Sequence, residues 1–328
     1  MSTSPGLLGD VGGTHARFAL LTGGTGAGLR DELTFPSADF PDLASAMEAY
    51  LRATGAAPRR AVVAVATPVL GDAVQFTNLP WRFSTEATRR RLGLDSLRLV
   101  NDFAALALGL PGLAEHERRQ VGGGAPEAGR PLALLGAGTG LGVSGLVPHP
   151  GGWSVIEGEG GHVSFAPADD REAALLQWLR GRHGHVSAER LASGPGLSAI
   201  LQGLRTLDGV DAPVTAPEAV TEGARRGEAR CAEAVEIFCR VLGTVASDLC
   251  LTLGARGGVY LAGGIVPALG EGFDRSGFRA RFEDKGRFRG YLSAVPAYVV
   301  TARNPALRGA AVLLGGPAMA GSGAGHPG

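Results

Sequence analysis

Apolar residues along this chain arrive in short runs that glycine cuts off. In LLGDVGGTHARFALL, Leu7 to Leu21, a β-forming run enters a Gly-Asp-x-Gly-Gly-Thr turn and a second run leaves it. PLALLGAGTGLGVSGLV and GGVYLAGGIVPAL repeat the plan, so each segment predicts a strand that ends in a turn stripped of side chains. Placing Gly136 on Gly9 superimposes apolar-Gly-x-x-[Gly/Thr]-Gly in two distant segments, with Ala137 where the first has Asp10, and points to a duplicated domain plan. RAVVAVATPV and LRLVND predict further strands, AVQFTN a strand beside a turn, and DFAALALGL the start of a helix. Small-residue patterns over 171–180, 221–254 and 304–314 predict helices. Strands alternating with helices make this an α/β chain. The final GGPAMAGSGAGHPG is low in complexity and is expected to be mobile.

Composition narrows the class. At 328 residues the chain exceeds what one hydrophobic core usually organises, so two packed domains are expected. Apolar residues make up 45% and charged residues 19%, the balance of a chain that folds by itself. Lys plus Arg and Asp plus Glu number 31 each, leaving no net positive field to attract nucleic acid or an anionic membrane. The single lysine, Lys285, stands in EDKGRF, which excludes a Walker-type loop with its phosphate-gripping lysine. Cys231, Cys239 and Cys250 are 8 and 11 apart, spacings that return to one helix face, and read as buried small residues. No CxxC or Cys/His spacing suggests zinc. MSTSPG lacks a basic n-region and no uninterrupted apolar run approaches ~18 residues, so a cytoplasmic protein is expected.

What, then, could the glycine turns hold? Gly12 and Gly13 permit positive φ and close approach of backbone, so consecutive N–H groups can form a nest for phosphate oxygens. Asp10 at the strand end would orient Mg²⁺, through its water shell because Mg²⁺ gives up water reluctantly. An Asp-containing hairpin turn with no ligand fits the same residues. The second segment, with Gly136, Gly138, Thr139 and Gly140, makes the ligand reading stronger: two phosphate hairpins and one carboxylate form a two-sided clamp for a triphosphate. Gly263 and Gly264 would let backbone lie close to an adenine or ribose. LVNDFAAL delivers Asn101 and Asp102 at the end of a strand, as catalytic residues or, for one of them, as a helix N-cap. Glu159 and His162 in EGEGGHVSFAP, with Glu189 in HVSAERLASGPG, supply the acceptors and donors that a polyol demands. FRARFEDKGRFRGY is read as a solvated face.

In this order, GDVGGT, TNLPW, NDFAAL, GAGTGLGV, GEGGHV, GHVSAER, SGPGL, LAGGIVP and SGFRARFEDKGRF resemble the bacterial hexokinase-type glucokinases of the sugar kinase and actin superfamily, over about Leu7 to Leu314. The resemblance implies an actin-like (ribonuclease H-like) fold of two α/β domains around a central cleft. Residues 1–112 with 303–328 would form the smaller domain, completed by the C-terminal helix, and 113–302 the larger. It further implies phosphorylation of the 6-hydroxyl of glucose by ATP with Mg²⁺, feeding glycolysis, and a homodimer. Asp102 would be the general base, and Asn101, Asp102, Glu159, His162 and Glu189 would bind the sugar. Gly9, Asp10, Val11, Gly12, Gly13 and Thr14 would bind ATP phosphates, with the GAGTG loop as second cradle. A kinase for another hexose, or a sugar-sensing protein without phosphoryl transfer, are the alternatives. Position 15 is His where some relatives have Asn, and neither His15 nor Asn78 receives a role. The zinc motif of the related repressor and kinase group is absent from the sequence, as is a helix-turn-helix segment before LLGD.

Overall fold

The computed structural model describes residues 5–23, 28–76 and 79–315. Asn78 and the low-complexity tail beyond Gly315 lie outside the described residues. The described residues up to Gly112, with those from Arg303 onward, form one compact unit, and Leu113–Ala302 forms another.

The first unit is built on β1 (Gly6–Val11), β2 (His15–Leu21), β3 (Leu29–Pro36), β4 (Arg60–Val65), the short pair β5 (Ala73–Gln75) and β6 (Arg82–Ser84), and β7 (Ser96–Asn101). The main sheet has the order β3-β2-β1-β4-β7, antiparallel from β3 to β1 and parallel from β1 through β4 to β7. β1 and β4 are buried along almost their whole length, as strands covered on both faces must be, which is why their sequences run apolar instead of alternating. Leu7 and Val11 face a cluster with Leu43, Met47 and Tyr50 of the helix Leu43–Thr54. Asp42 caps that helix by accepting the Ser45 amide at 2.7 Å, and Gly55 ends it in the left-handed region. On the other face, Gly6 lies against Leu314 of the helix Pro305–Gly315, which also packs on β4 and on the helix Asp102–Gly109. The two helices touch backbone to backbone: Gly309 abuts the Ala105 carbonyl, and a Cβ on Gly109 would stand 2.7 Å from the Pro305 carbonyl oxygen.

The second unit holds β8 (Arg118–Val121), β9 (Leu132–Ala137), β10 (Leu141–His149), β11 (Gly152–Gly158), β12 (Gly258–Ala262) and β13 (Ala297–Val300) in the order β11-β10-β9-β12-β13-β8. β9 to β11 are antiparallel, and β9, β12 and β13 are parallel. Without β8 this is the strand order of the first sheet, the duplicated plan that the glycine turns announce. The helices Asp170–His183 and Pro305–Gly315 fall where periodicity puts them.

Two expectations change. The helix expected over 221–254 is two, Pro217–Arg225 and Ala229–Leu253, because Gly227 takes φ 82° between them and breaks the hydrogen-bond ladder. FRARFEDKGRFRGY is not simply a solvated face. Phe278 and Phe282, four apart on the short helix Phe278–Glu283, are fully buried, and Gly243 of the long helix permits the approach: a Cβ there would stand 2.6 Å from the Phe278 carbonyl oxygen. Arg281 of the same segment pairs with the buried Glu172 at 2.9 Å.

All three cysteines lie buried on the long helix Ala229–Leu253, and desolvation pushes the thiols of Cys239 and Cys250 up to about 12 and raises that of Cys231. Thiolate is the reactive form, and a raised value means less of it at any pH below the shifted one. Ellman's reagent near pH 8 is therefore expected to find no reactive thiol in the folded protein and all three cysteines after denaturation. Gly309→Ala is expected to destabilise by about 1–3 kcal/mol, since the added carbon has only the Ala105 carbonyl to move against. A thermal melt unchanged from wild type would show that the helix pair is looser than this contact requires.

Candidate active site

In the first unit the β1–β2 hairpin closes at the pair Val11↔Ala16, and the Gly12 amide donates to the His15 carbonyl at 2.9 Å. Ser37, fully buried just past β3, grips the turn from behind. Its hydroxyl donates to the Gly12 carbonyl at 2.8 Å and its amide to the Thr14 carbonyl at 2.9 Å. The turn is thus fixed through its carbonyls, and the amides of Gly13 and Thr14 have no partner among the described residues. That is the arrangement a phosphate nest needs. His15 takes part through its backbone, while its side chain is exposed.

Asp10 stands one residue before the last ladder pair, directly across from Arg17, whose Nη1 lies 3.4 Å from Oδ2. Burial raises the pKa of the Asp10 carboxyl, and the Arg17 guanidinium works against that rise. A half-buried carboxylate that one cation compensates only partly suits a second, transient cation. Among the described residues no group of three or more His, Cys, Asp or Glu could hold a metal by itself. One carboxylate is still enough for Mg²⁺, which keeps several waters and takes other ligands from phosphate.

Asn101 ends β7, and the register sets Val11, Val65 and Asn101 level across β1, β4 and β7. The Gly12–His15 turn and the Asn-Asp pair therefore leave the same edge of the sheet, two strand spacings or about 10 Å apart. Ligands of parallel sheets bind at this carboxyl-end edge. Asn101 is the N-cap of the helix Asp102–Gly109, its Oδ1 accepting the amides of Phe103 at 3.0 Å and Ala104 at 3.2 Å. Capping consumes the oxygen of Asn101 and leaves its amide group as donor. Asp102 Oδ1 also accepts the Phe103 amide, at 2.9 Å, so the carboxylate is oriented by the helix start and sits at the positive end of its dipole.

The second unit gathers the remaining candidates around β9 and β10. Its turn closes at Ala137↔Leu141, with the Gly138 amide donating to Gly140 and the Gly138 carbonyl accepting from Gly194 at 2.8 Å. Thr139 is exposed at the tip. Glu189 Oε2 accepts the Leu141 amide at 2.9 Å, right at the exit of the turn. Glu159 precedes and His162 ends a 3-10 turn, Gly160–His162, laid on β10, where Gly160 and Gly161 have no room for side chains against Val143 and Leu141. A bridge between Ser164 and Ser187 and the Phe165 to Val186 bond join the Glu159–His162 segment to the one carrying Glu189. Gly263, at φ 84°, follows β12 and backs onto Ala137, so GAGTG and LAGG end side by side, with Gly264 next to them.

The ladder also corrects the alignment of the two turns. Asp10 and Gly136 each stand one residue before the last hairpin pair, so Gly136, not Ala137, occupies the place of Asp10. Glycine spacing alone misses this because the two turns close with different lengths. Ser37, Arg17 and Gly194 are absent from the sequence-based site. Arg17 follows from hairpin register once the turn is known, whereas Ser37 is brought in by chain pairing that leaves no local signal.

The family model for glucokinase matches residues 7–316. A curated relative from Chromobacterium violaceum, named glucokinase, is 54% identical over 314 residues, 94% of this chain and 89% of that protein. Another from Aromatoleum aromaticum, of the same name, is 53% identical over 317 residues and 95% of both chains. The crystal structure of a glucokinase from an Antarctic psychrotroph superposes with a TM-score of 0.86 at 37% identity, covering 95% of this chain and 98% of the other.

Ser37→Ala removes one hydrogen bond from the first turn and leaves the second unit untouched. We expect affinity for ADP to fall by ~2–10-fold while glucose affinity holds, as parallel calorimetric titrations would measure; equal losses for both ligands would mean general unfolding instead of a loosened turn.

Proposed function

The chain belongs to the glucokinase family, and from that premise we propose that it carries the γ-phosphoryl group of ATP to the 6-hydroxyl of D-glucose, as an ATP:D-glucose 6-phosphotransferase. Asp102 accepts the proton of the 6-hydroxyl as that oxygen attacks the γ-phosphorus in line. The register that sets Asn101 level with Val11 carries this reading, because it lets one sheet edge serve both the base and a phosphate turn. The amide group of Asn101, free of the cap, donates to a sugar hydroxyl, and Glu159, His162 and Glu189 pair with the others.

The phosphates engage the amides of Gly13 and Thr14 and those of Thr139 and Gly140, with Gly263 and Gly264 against the adenosine. Mg²⁺, when bound with the nucleotide, neutralises phosphate charge, and Asp10 would hold it through water. Backbone amides and this carboxylate do the work that a lysine does in a Walker-type loop. In a loose transition state most of the acceleration comes from positioning and electrostatic stabilisation, and the base adds typically ~10²–10⁴-fold. Discrimination among hexoses comes from hydroxyl pairing, where a lost or inverted hydroxyl leaves a buried polar group unpaired at about 1–3 kcal/mol. We place the enzyme in the cytoplasm and read it as a homodimer on family resemblance; light scattering that returns the mass of one chain would remove the dimer.

Asp102→Ala is expected to lower kcat by ~10²–10⁴-fold with a much smaller effect on glucose affinity. The measurement is a coupled assay with MgATP and a panel of hexoses, alongside glucose titration. Near-normal turnover in the variant would take Asp102 out of the base role, and equal rates across the panel would remove the preference for glucose.

A further inference from the structure

We propose that Glu189 is a positioning residue that couples occupancy of the sugar site to affinity for the nucleotide, an inference that rests on the reading of its carboxylate as a glucose ligand. Oε2 accepts the Leu141 amide at 2.9 Å, where the chain leaves the second phosphate turn. Glycine at 140 leaves room for the carboxylate in this position, since a Cβ there would stand 2.5 Å from Oε2 and push the side chain aside. The backbone of the same residue reaches the other end of the turn. The Glu189 carbonyl accepts the Ser193 hydroxyl at 2.8 Å, that oxygen caps the helix Gly194–Leu207 through the Gly196 amide at 3.1 Å, and the Gly194 amide donates to the Gly138 carbonyl at 2.8 Å. One short segment, 189–194, therefore holds the turn at its entry through backbone and at its exit through a side chain.

A carboxylate has two oxygens, and here they face different tasks. Oε2 fixes the turn, while Oε1 remains as acceptor for a sugar hydroxyl. A hydroxyl on Oε1 restricts the side-chain torsions, so the hold on Leu141 is made more of the time. The turn that receives phosphate is then ordered before the nucleotide arrives. Linkage makes the effect reciprocal: whatever factor glucose contributes to nucleotide affinity, the nucleotide returns to glucose affinity.

Two variants separate the tasks. Glu189→Gln keeps an oxygen for the Leu141 amide and loses the negative charge that the sugar meets, whereas Glu189→Ala loses both. Calorimetric titration with ADP, with and without saturating glucose, is the measurement. In wild type glucose should tighten ADP binding. Without glucose, Glu189→Ala should bind ADP ~5–10-fold more weakly than wild type, Glu189→Gln should stay within ~3-fold, and the alanine variant should show no glucose effect. Equal ADP affinity in the two variants, or a glucose effect of wild-type size in the alanine variant, overturns the coupling. Unchanged glucose affinity in Glu189→Gln overturns the sugar reading beneath it, and is read independently of the ADP contrast.

Discussion

A turn that receives phosphate has to be rigid and yet keep its peptide N–H groups unused. Each hairpin spends one amide on an internal bond and leaves the next two, Gly13 and Thr14 or Thr139 and Gly140, unused, while protein donors from outside the turn occupy its carbonyls. Ser37 bonds the carbonyls of Gly12 and Thr14, and Gly194 bonds that of Gly138. Had the amides of Gly13, Thr14, Thr139 and Gly140 been spent as well, the nest would be closed to an anion. The sheets serve the same end. Their parallel strands stop in register, so each turn leaves an edge that also carries the next element of the site, the Asn101–Asp102 pair in one unit and the Gly263–Gly264 pair in the other.

The two sheets repeat their strand order but not their charge. At the position before the last hairpin pair, one has Asp10 and the other Gly136. A carboxylate in place of Gly136 would stand without a cation across from it. The carboxylate is tolerable in the first turn because Arg17 pairs with it from the neighbouring strand. In the second turn the opposite ladder residue is Gly142, with no charge to offer.

The glycine turns, the Asn-Asp pair and the buried cysteines are legible in the sequence because each signal is local: apolar run, breaker, polar residue, or a spacing along one helix. What is not legible depends on pairing between distant segments. Ser37 follows β3, the strand beside the hairpin, and nothing in FPSADF says which carbonyls it will meet. Phe278 and Phe282 sit among so many charges that their spacing is masked, although Gly243 makes room for them. The N-cap and catalytic readings of LVNDFAAL, which look exclusive on sequence, are compatible in space. Capping uses one end of the Asn101 side chain and orients Asp102 beside it.

The contact of Gly309 with Ala105 sets an order of events during synthesis. The helix that begins with Asp102 packs on a helix starting at Pro305, 196 positions after Gly109, and the whole second unit is made in between. At ordinary rates of translation that interval is about 10–40 s. For this time β1 and β4 wait with the face that the last helix covers bare, while Leu113–Ala302 is continuous in sequence and can fold without anything that follows. The nascent chain thus acquires the Gly138–Gly140 turn before the helix that starts with Asp102 is locked in place, and any factor that shields bare apolar strands has its longest opportunity on the first unit.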